Sequence, residues 1–577
     1  PGMSLAAFQS QGLLELLDVE LARALDRASG EPTPDVELAI ALTSRSIRRG
    51  HSCFPLELSP AELWPREATP PEPLPDPAGW KDTLRKSRLS QDGGPLVLDG
   101  AGRLYLRRYW QLEQDVAAQL AARASGSRPA GSARERVQSA LERMFPGDGD
   151  SPQRRAAANA LEHRVSLLCG GPGTGKTTTV AAIVALFIES AASDATAPLD
   201  VLLLAPTGKS AARLGEAVSK AKSRIDAPQA VLDQIPEQAT TIHRALGMQR
   251  EGMRFRRSSE LPLEADLVVV DEASMVDLAL MRQLLDATPA DATLLIVGDP
   301  DQLTSVEAGS VLRDLVIASE TTWWRDRVTS LTETYRYDER QPLGRLVAAI
   351  RAGDSTAVDA LLSDTSDDVV WTPLKALPSE LDRAADHWSE VLSAGDPAKH
   401  FALRSRYVML SPFRVGPIGT QQLGMDVSER LRGRALAEPR ITPIIIEQNS
   451  QELGVFNGDF AMLVDGAPRH AVVQREAGDF PELAAARLPR HSEAFAISVH
   501  KSQGSEFDEV LVVVPKDDAP LLTRELLYTA VSRAKQRVRL VGPREVVMAA
   551  LRRKAERHSG LVDAIAEVDD VPARNEG

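Results

Sequence analysis

The chain has 577 residues, 43% hydrophobic and 26% charged, enough by length for roughly three to five domains, each with its own core. Its 67 Lys and Arg against 81 Asp and Glu leave a net charge of −14, which excludes a polyanion partner captured by global charge and confines any nucleic-acid site to a local basic groove. Only Cys53 and Cys169 are present, which excludes a disulfide framework, a four-thiolate zinc site and an iron–sulfur cluster.

The two cysteines suit a reducing cytosol, and no apolar run reaches the roughly 18 residues of a membrane helix. Pro1 and Gly2, ahead of Met3, read as a cloning remnant, and no signal-peptide pattern follows them. In LLELLDVELARAL (13–25) and VELAIALTSRSI (36–47) the Leu, Val and Ile residues recur at helical spacing. PLELSPAELWPREATPPEPLPDP (55–77) is too proline-rich for regular structure and is expected to run extended over a surface. PLVLDGAGRLYLRRYW (95–110) alternates about an Asp-Gly turn, predicting a β-hairpin that leads into a helix. Residues 1–125 therefore predict a mainly helical domain, and the small, polar, basic stretch after it predicts a linker over 126–149.

From 150 the texture changes to short apolar strands alternating with helical patterns: VSLLCGG, DVLLLAPT, DLVVVDE and TLLIVGD, then YVMLSPF, FDEVLVVVP and RVRLVGP. Fully apolar strands followed by helices imply a parallel sheet covered on both faces. The expected fold class is α/β, with two tandem P-loop-type halves over 150–325 and 326–565. A small β insert is expected near 435–492, and a frayed tail over 566–577.

GGPGTGKT follows one of these strands and opens a helix, which is the context a phosphate-binding loop requires. Gly170, Gly171, Pro172, Gly173, Thr174 and Gly175 let backbone N–H groups converge on phosphate oxygens at a helix N-terminus. Lys176 would reach the β- and γ-phosphates, and Thr177, followed by Thr178, would ligate Mg²⁺. DLVVVDEASM (266–275) ends a strand in two carboxylates: Asp271 for the metal and Glu272 to take a proton from attacking water. LLIVGDPDQL (294–303) carries Gln302, either a sensor of the terminal phosphate or a turn amide with local hydrogen bonds. To this point the residues specify a P-loop ATPase that uses ATP and Mg²⁺, a class that includes kinases, transporters and motors.

Phosphoryl transfer needs positive charge on the equatorial oxygens, often from an arginine of another domain. Arg336 in LTETYR (331–336) and Arg533 in LLYTAVSRAK (526–535) are the candidates, the latter on a helix read over Tyr528–Lys535. Both would place ATP in a cleft between the two halves. VHKSQGSEF (499–507), polar and small just ahead of an apolar strand, is either a plain loop or part of that machinery.

The ordered set GGPGTGKTTTV, APTGKSAARL (205–214), TIHRALG (241–247), DEASMVD (271–277), GDPDQLTSVEAGSVLRDL (298–315), TETYR, VHKSQGSEFDEV (499–510) and LLYTAVSRAK resembles superfamily 1 helicases, and closely the RecD family, the alpha subunit of the RecBCD exonuclease. GHSCFPLE (50–57) and residues 95–110 are similar to that family's N-terminal region. The resemblance implies two RecA-like motor domains and an SH3-like β insert. It also implies an ATP-driven 5′-to-3′ motor on single-stranded or duplex-end DNA, held in a heterotrimer with RecB-like and RecC-like subunits and independent of any membrane. By the same resemblance Gln153 reads adenine, and Thr207, Lys209, His243, Arg244, His500, Lys501, Ser502 and Gln503 contact the strand. Phe413 would stack a base or else pack in the core. Residues 247–264, GMQREGMRFRRSSELPLE, would form a hairpin that parts the duplex, or simply an exposed charged hairpin. The acidic balance and the lack of a recognisable nuclease cluster assign DNA cutting to another subunit, with residues 1–125 docking on a non-motor partner. The rival readings are a non-motor P-loop switch and a structural subunit with a vestigial ATP site.

Overall fold

The computed structural model describes residues 5–64, 73–125, 133–146, 151–191, 198–248, 255–320, 322–338, 340–364, 366–434, 439–450, 452–475 and 479–568. Six parallel strands form the first large sheet, in the order Thr240–Thr241, Val201–Ala205, Leu267–Val270, Thr293–Gly298, Val165–Gly170 and Val328–Leu331. The strands at its centre are buried along their whole length, as their unbroken apolar runs require when both faces are covered. Separate cores fill the two faces, one around Val268, Met281 and Leu315, the other around Leu168, Val184 and Val269. Because the strands are parallel, the turns after Gly170, Val270 and Gly298 all emerge at one edge.

A second parallel sheet orders Val369–Thr372, Ala534–Val541, Phe507–Val513, Tyr407–Ser411 and Ile497–Ser498. An antiparallel sheet inserted into this half orders Glu482–Ala484, His470–Val473, Phe460–Val464, Ile441–Ile446 and His491–Glu493. It buries a small core of its own around Ile444, Ile446 and Val455. The fold is thus α/β with two parallel sheets, as the apolar strand runs imply. No helix among the described residues is long and apolar enough to cross a membrane.

Near the N-terminus, helices Leu16–Ser29 and Pro34–Arg48 pack beside a three-stranded sheet that contains the expected hairpin, Leu96–Leu98 and Arg103–Leu106. Within 55–77 the chain makes one helical turn, Pro60–Leu63, started by a capping box between Ser59 and Glu62; residues 65–72 lie outside the described ones. Helix Arg107–Ala124 continues from the hairpin but packs into the core of the first large sheet, with Val116, Ala117 and Leu120 against Met281 and Leu284. Arg123 fastens it there, donating from Nη1 to the Pro289 carbonyl (2.7 Å) and from Nη2 to Leu285 (2.9 Å).

Three further differences have the same cause: long-range packing that local composition does not encode. Val328–Leu331, beyond the boundary expected at 325, is the edge strand of the first sheet. In the stretch expected as a linker, Ala133–Met144 is a helix, and its Arg143 makes an ion pair with Glu189 (2.6 Å). The C-terminal helix Leu561–Glu567, expected in the second half, instead returns to the first and buries Leu561, Ala564 and Ile565 in its core. The tail from 569 onward lies outside the described residues.

Candidate nucleotide cleft and nucleic-acid interface

The phosphate-binding loop runs from the end of strand Val165–Gly170 to Lys176, the first residue of helix Lys176–Ala191. Gly173 and Gly175 sit at φ 79° and 84°, the left-handed region open to glycine at little cost. Gly173 is also a close-approach position: a Cβ there would lie 2.2 Å from Arg336 Cβ. The segment carrying Arg336 lies over the loop, with Tyr335 N donating to the Gly173 carbonyl at 2.8 Å. Lys176 Nζ donates to the carbonyls of Gly170 (2.6 Å) and Gly171 (2.9 Å). Thr174 is an internal strut, its hydroxyl on the Gly171 carbonyl at 2.9 Å.

Lys176, Thr177, Asp271, Glu272, Gln302, Arg336 and Arg533 all line one cleft of about 1270 Å³, together with Gln153, Pro172, Gly173, Gly175 and Thr178. Gly170, Gly171 and Thr174 stand behind that wall rather than in it. At one end of the cleft Gln153 Nε2 donates to the hydroxyl of Tyr335 (3.2 Å), whose ring is 69% exposed. An amide beside a free aromatic face is a pairing that can hold a flat heterocycle.

Glu272 has φ 52° and ψ 40°, the one positive φ outside glycine among the described residues. Such a conformation costs on the order of 1–3 kcal/mol and persists where surrounding structure imposes it. Here it follows directly on Asp271, whose carboxylate accepts from Glu272 N at 2.8 Å, and both side chains border the cleft. Burial and the neighbouring Glu272 hold the Asp271 carboxyl above the usual aspartate range, while Lys176 opposes the rise.

Gln302 is 3% exposed. Its Nε2 donates to Asp299 Oδ2 at 3.0 Å, and its Oε1 is buried without a partner among the described residues. Gln302's own bond is thus local, to a residue three positions back, but Asp299 also accepts from the hydroxyl of Tyr528 in the second half (3.0 Å). Around this loop Leu303 N donates to Thr529 Oγ1 (3.0 Å), Gln503 Nε2 to the Leu303 carbonyl (3.0 Å), and Arg351 to Asp301 (2.6 Å).

Arg533 is not on the helix read over Tyr528–Lys535. That helix is Arg524–Val531, and Arg533 sits in the turn before strand Ala534–Val541. Far from facing solvent, it is 3% exposed; its guanidinium donates to the carbonyls of Thr529 (3.0 Å) and Ser505 (3.4 Å). Arg336 pairs with Glu506 (2.5 Å), which also holds Arg213 (2.5 Å) and, more loosely, Lys535 (3.9 Å). Burial alone would raise the Glu506 carboxyl, but Arg213 and Arg336 bring it down to about 2.

The nucleic-acid candidates divide. Arg244 is exposed and His243 half-buried, its ring 6.0 Å from that of Phe255. His500 is half-buried on the short helix Val499–Ser502, and Lys501 is tied to Glu447 at 2.9 Å. Thr207 spends its hydroxyl capping helix Gly208–Lys222. Three candidates are engaged in contacts within the protein. Lys209 is held between the halves by Ser505, and its ammonium pKa is driven well down, first by burial and then by Arg404 and Arg213. Ser502 is fully buried with its hydroxyl on the Val499 carbonyl, and Gln503 is the strut to Leu303. Phe413 packs partly buried against the core of the second half. The expected hairpin keeps its base, an antiparallel bridge between Met248 and Phe255, while 249–254 lie outside the described residues.

Residues 10–105 match the family model described as RecBCD enzyme subunit RecD, N-terminal domain; residues 153–308 match an AAA domain, and 493–541 a UvrD-like helicase C-terminal domain. The RecBCD enzyme subunit RecD of Mycobacterium tuberculosis is 39% identical over 96% of this chain and 95% of its own length. The subunit of the same description from Mycolicibacterium smegmatis is 39% identical over 95% and 97%. The chain belongs to the RecD family. The ATP-dependent RecD2 DNA helicase of Deinococcus radiodurans is 30% identical over 83% of this chain but 61% of its own length.

Several residues of the site in this RecD-family chain escape a reading of motifs alone. Asp299, Tyr528 and Glu506 lie inside quoted segments, yet only the fold shows Asp299 and Tyr528 meeting across the halves and Glu506 gathering three cations. Tyr335 had a signal, an aromatic one position before a candidate arginine. Glu447 had none: a lone glutamate after an apolar strand, it gathers Lys501, Arg414 and Arg490 within 2.9–3.3 Å. Burial would raise its carboxyl, but the Lys501 and Ser492 hydrogen bonds help bring it down to about 2.

Proposed function

We propose that this RecD-family chain is an ATP-dependent DNA helicase motor, acting in recombination and repair as a subunit of a helicase–nuclease with RecB-like and RecC-like partners. It would move 5′ to 3′ on single-stranded DNA fed from a duplex end, in the bacterial cytosol. The names of its relatives, RecBCD subunits and a DNA helicase, support the assignment. The observation that carries it is the shared cleft: Lys176, Asp271, Glu272 and Gln302 from the first half face Arg533 from the second, with Arg336 on the segment between them.

In this reading the loop Gly170–Gly175 and the helix start at Lys176 cradle the phosphates of ATP, and Lys176 exchanges its loop carbonyls for phosphate oxygens. Gln153 and Tyr335 hold the adenine edge and face. The Thr177 hydroxyl and the Asp271 carboxylate form a hard-oxygen pair that fits Mg²⁺, with phosphates and water completing the shell. The metal would supply neutralisation of phosphate charge. Glu272 accepts the proton of the attacking water, and Gln302, anchored through Asp299, turns its free Oε1 to that water. Arg533 and Arg336 balance the charge that develops on the transferred phosphoryl oxygens. Tyr528, Thr529, Gln503 and Arg351 tie the loop carrying Gln302 to the second half, so hydrolysis would alter closure between halves. A strand lying along His243, Arg244, His500 and Lys501 would feel that movement.

The test is ATP turnover with and without oligo-dT at low salt, for the wild type and Lys176→Gln. Many-fold stimulation of the wild type and loss of it in Lys176→Gln are expected. A rate indifferent to saturating DNA would leave a non-motor ATPase instead. DNA unwinding undiminished by Lys176→Gln in the assembled complex would leave a scaffold.

A further inference from the structure

Where the N-terminal region, the first motor half and the returning C-terminal segment meet, cationic side chains collect, and several form no ion pair among the described residues. Gly50–Cys53 and Arg557–Gly560 run side by side: Ser52 N donates to the His558 carbonyl (3.0 Å), and His558 N donates to His51 Nδ1 (2.9 Å). The two imidazoles stack at 4.6 Å. Beneath them the buried Glu113 accepts from the hydroxyls of Ser52 (2.5 Å) and Ser559 (2.9 Å), which fixes the junction.

Arg557 spans it, donating to the Arg49 carbonyl (2.8 Å) and to the Ser305 carbonyl (2.9 Å). The neighbouring Arg45 is also without an acid: it donates to the Leu63 carbonyl (2.8 Å) and lies over the Trp64 ring. Arg49 is exposed. No carboxylate pairs with Arg45, Arg49 or Arg557 among the described residues, whereas Arg48 next door pairs with both Asp18 and Glu15. In a chain carrying −14 overall, three arginines with no paired carboxylate among the described residues are a local concentration of positive charge. His51 adds no charge of its own, because burial together with His558, Arg557 and Arg49 holds it neutral.

The junction also adjoins the strand path. The loop after Gln302 is pinned on one side by Gln503, through the Leu303 carbonyl, and on the other by Arg557, through Ser305. Val306, the next residue of the same loop, is 75% exposed. His500, on the helix adjoining Gln503, lies close enough to Arg557 to feel its charge.

We propose that Arg49 and Arg557, reached past Val306, form a phosphodiester-binding site that extends the single-strand track from His500 onto the N-terminal region. The site rests on the reading of the chain as a DNA motor. It gives the N-terminal region and the C-terminal return a direct part in holding DNA, in addition to any docking on partners. Guanidinium groups already fixed by backbone contacts lose little freedom on meeting a phosphate, and each phosphate neutralised releases condensed counterions.

The experiment is fluorescence anisotropy of labelled oligo-dT binding to the full chain across a salt series, for wild type, Arg49→Glu, Arg49→Gln and Arg85→Glu. Arg85 is an exposed arginine on helix Pro77–Lys86 of the same region, so its reversal matches the change in net charge. Arg49→Glu should weaken binding several-fold at low salt and lower the slope of log K against log salt by about 0.7, the single-strand value for one phosphate contact. Arg49→Gln should give the same loss of slope with a smaller loss of affinity, and Arg85→Glu should behave as wild type. Equal thermal unfolding of the variants keeps the comparison to binding. Slopes for both Arg49 variants equal to wild type, or a loss for Arg85→Glu as large as for Arg49→Glu, would overturn the site while leaving the motor intact. Absence of wild-type binding would instead remove the motor reading and the site with it.

Discussion

Replacing Tyr528 with Phe removes one oxygen from the contact between the halves. The Tyr528 ring is 2% exposed and Asp299 is fully buried, so Phe keeps the packing and opens no cavity. What is lost is the hydrogen bond of 3.0 Å to Asp299 Oδ2, the oxygen that also receives Gln302 Nε2 at 3.0 Å. A hydrogen bond to a charged, buried group is worth about 1.5–3 kcal/mol. Burial already pushes the Asp299 carboxyl up, and removing a donor pushes it further toward a protonated state that would hold Gln302 differently. If the loss falls wholly on the transition state, DNA-stimulated turnover drops roughly 10- to 150-fold; because the Tyr528 hydroxyl also stands against Gly171 of the phosphate loop, KM for ATP is measured alongside it. The assay is steady-state ATPase with saturating oligo-dT, alongside thermal unfolding. Turnover within twofold of wild type would refute the coupling of Gln302 to the second half through Asp299. A lower unfolding temperature with unchanged turnover would reduce Tyr528 to packing.

Arg533→Ala should retain binding of a fluorescent ATP analogue while turnover falls about 10³-fold or more; normal turnover would remove Arg533 from the reaction. In the proposed mechanism Asp271 would have to be ionised to hold Mg²⁺, and burial with Glu272 beside it raises its pKa above the ordinary value of 3.8. Mg²⁺-dependent binding of the same analogue should therefore fail, as pH drops, sooner than an ordinary aspartate would allow. In Glu272→Gln, which removes the neighbouring charge, the failure should move to lower pH. An unchanged midpoint in that variant would show that Glu272 does not set the ionisation of Asp271.

The central strands and the phosphate loop were legible because a strand buried on both faces must be apolar throughout, and a turn that wraps phosphate must be glycine-rich. Thr240–Thr241, Val328–Leu331 and Val369–Thr372 were not, since edge strands this short carry neither pattern. Lys176, Asp271, Glu272 and Gln302 follow directly from strand ends in one sheet. Arg533 was found by its segment but placed on the wrong element, because its burial depends on Thr529 and Ser505 rather than on helical spacing. Lys209 and Gln503 look like surface polar residues in a motif, and only the approach of the two halves ties Lys209 to Ser505 and buries Gln503 against Leu303. The C-terminal return is similarly invisible: a charged stretch ending in a short helix says nothing about which of two cores receives Leu561 and Ile565.

Whether both halves act on one triphosphate while a strand crosses them is decided by a structure with a non-hydrolysable ATP analogue, Mg²⁺ and oligo-dT. Arg533 and Arg336 should lie within hydrogen-bonding distance of the γ-phosphate, Arg336 having exchanged Glu506 for it, with the strand passing His500 on its way over both halves. Nucleotide held by the first half alone, with Arg336 still on Glu506 and no strand bridging the halves, would contradict that shared action.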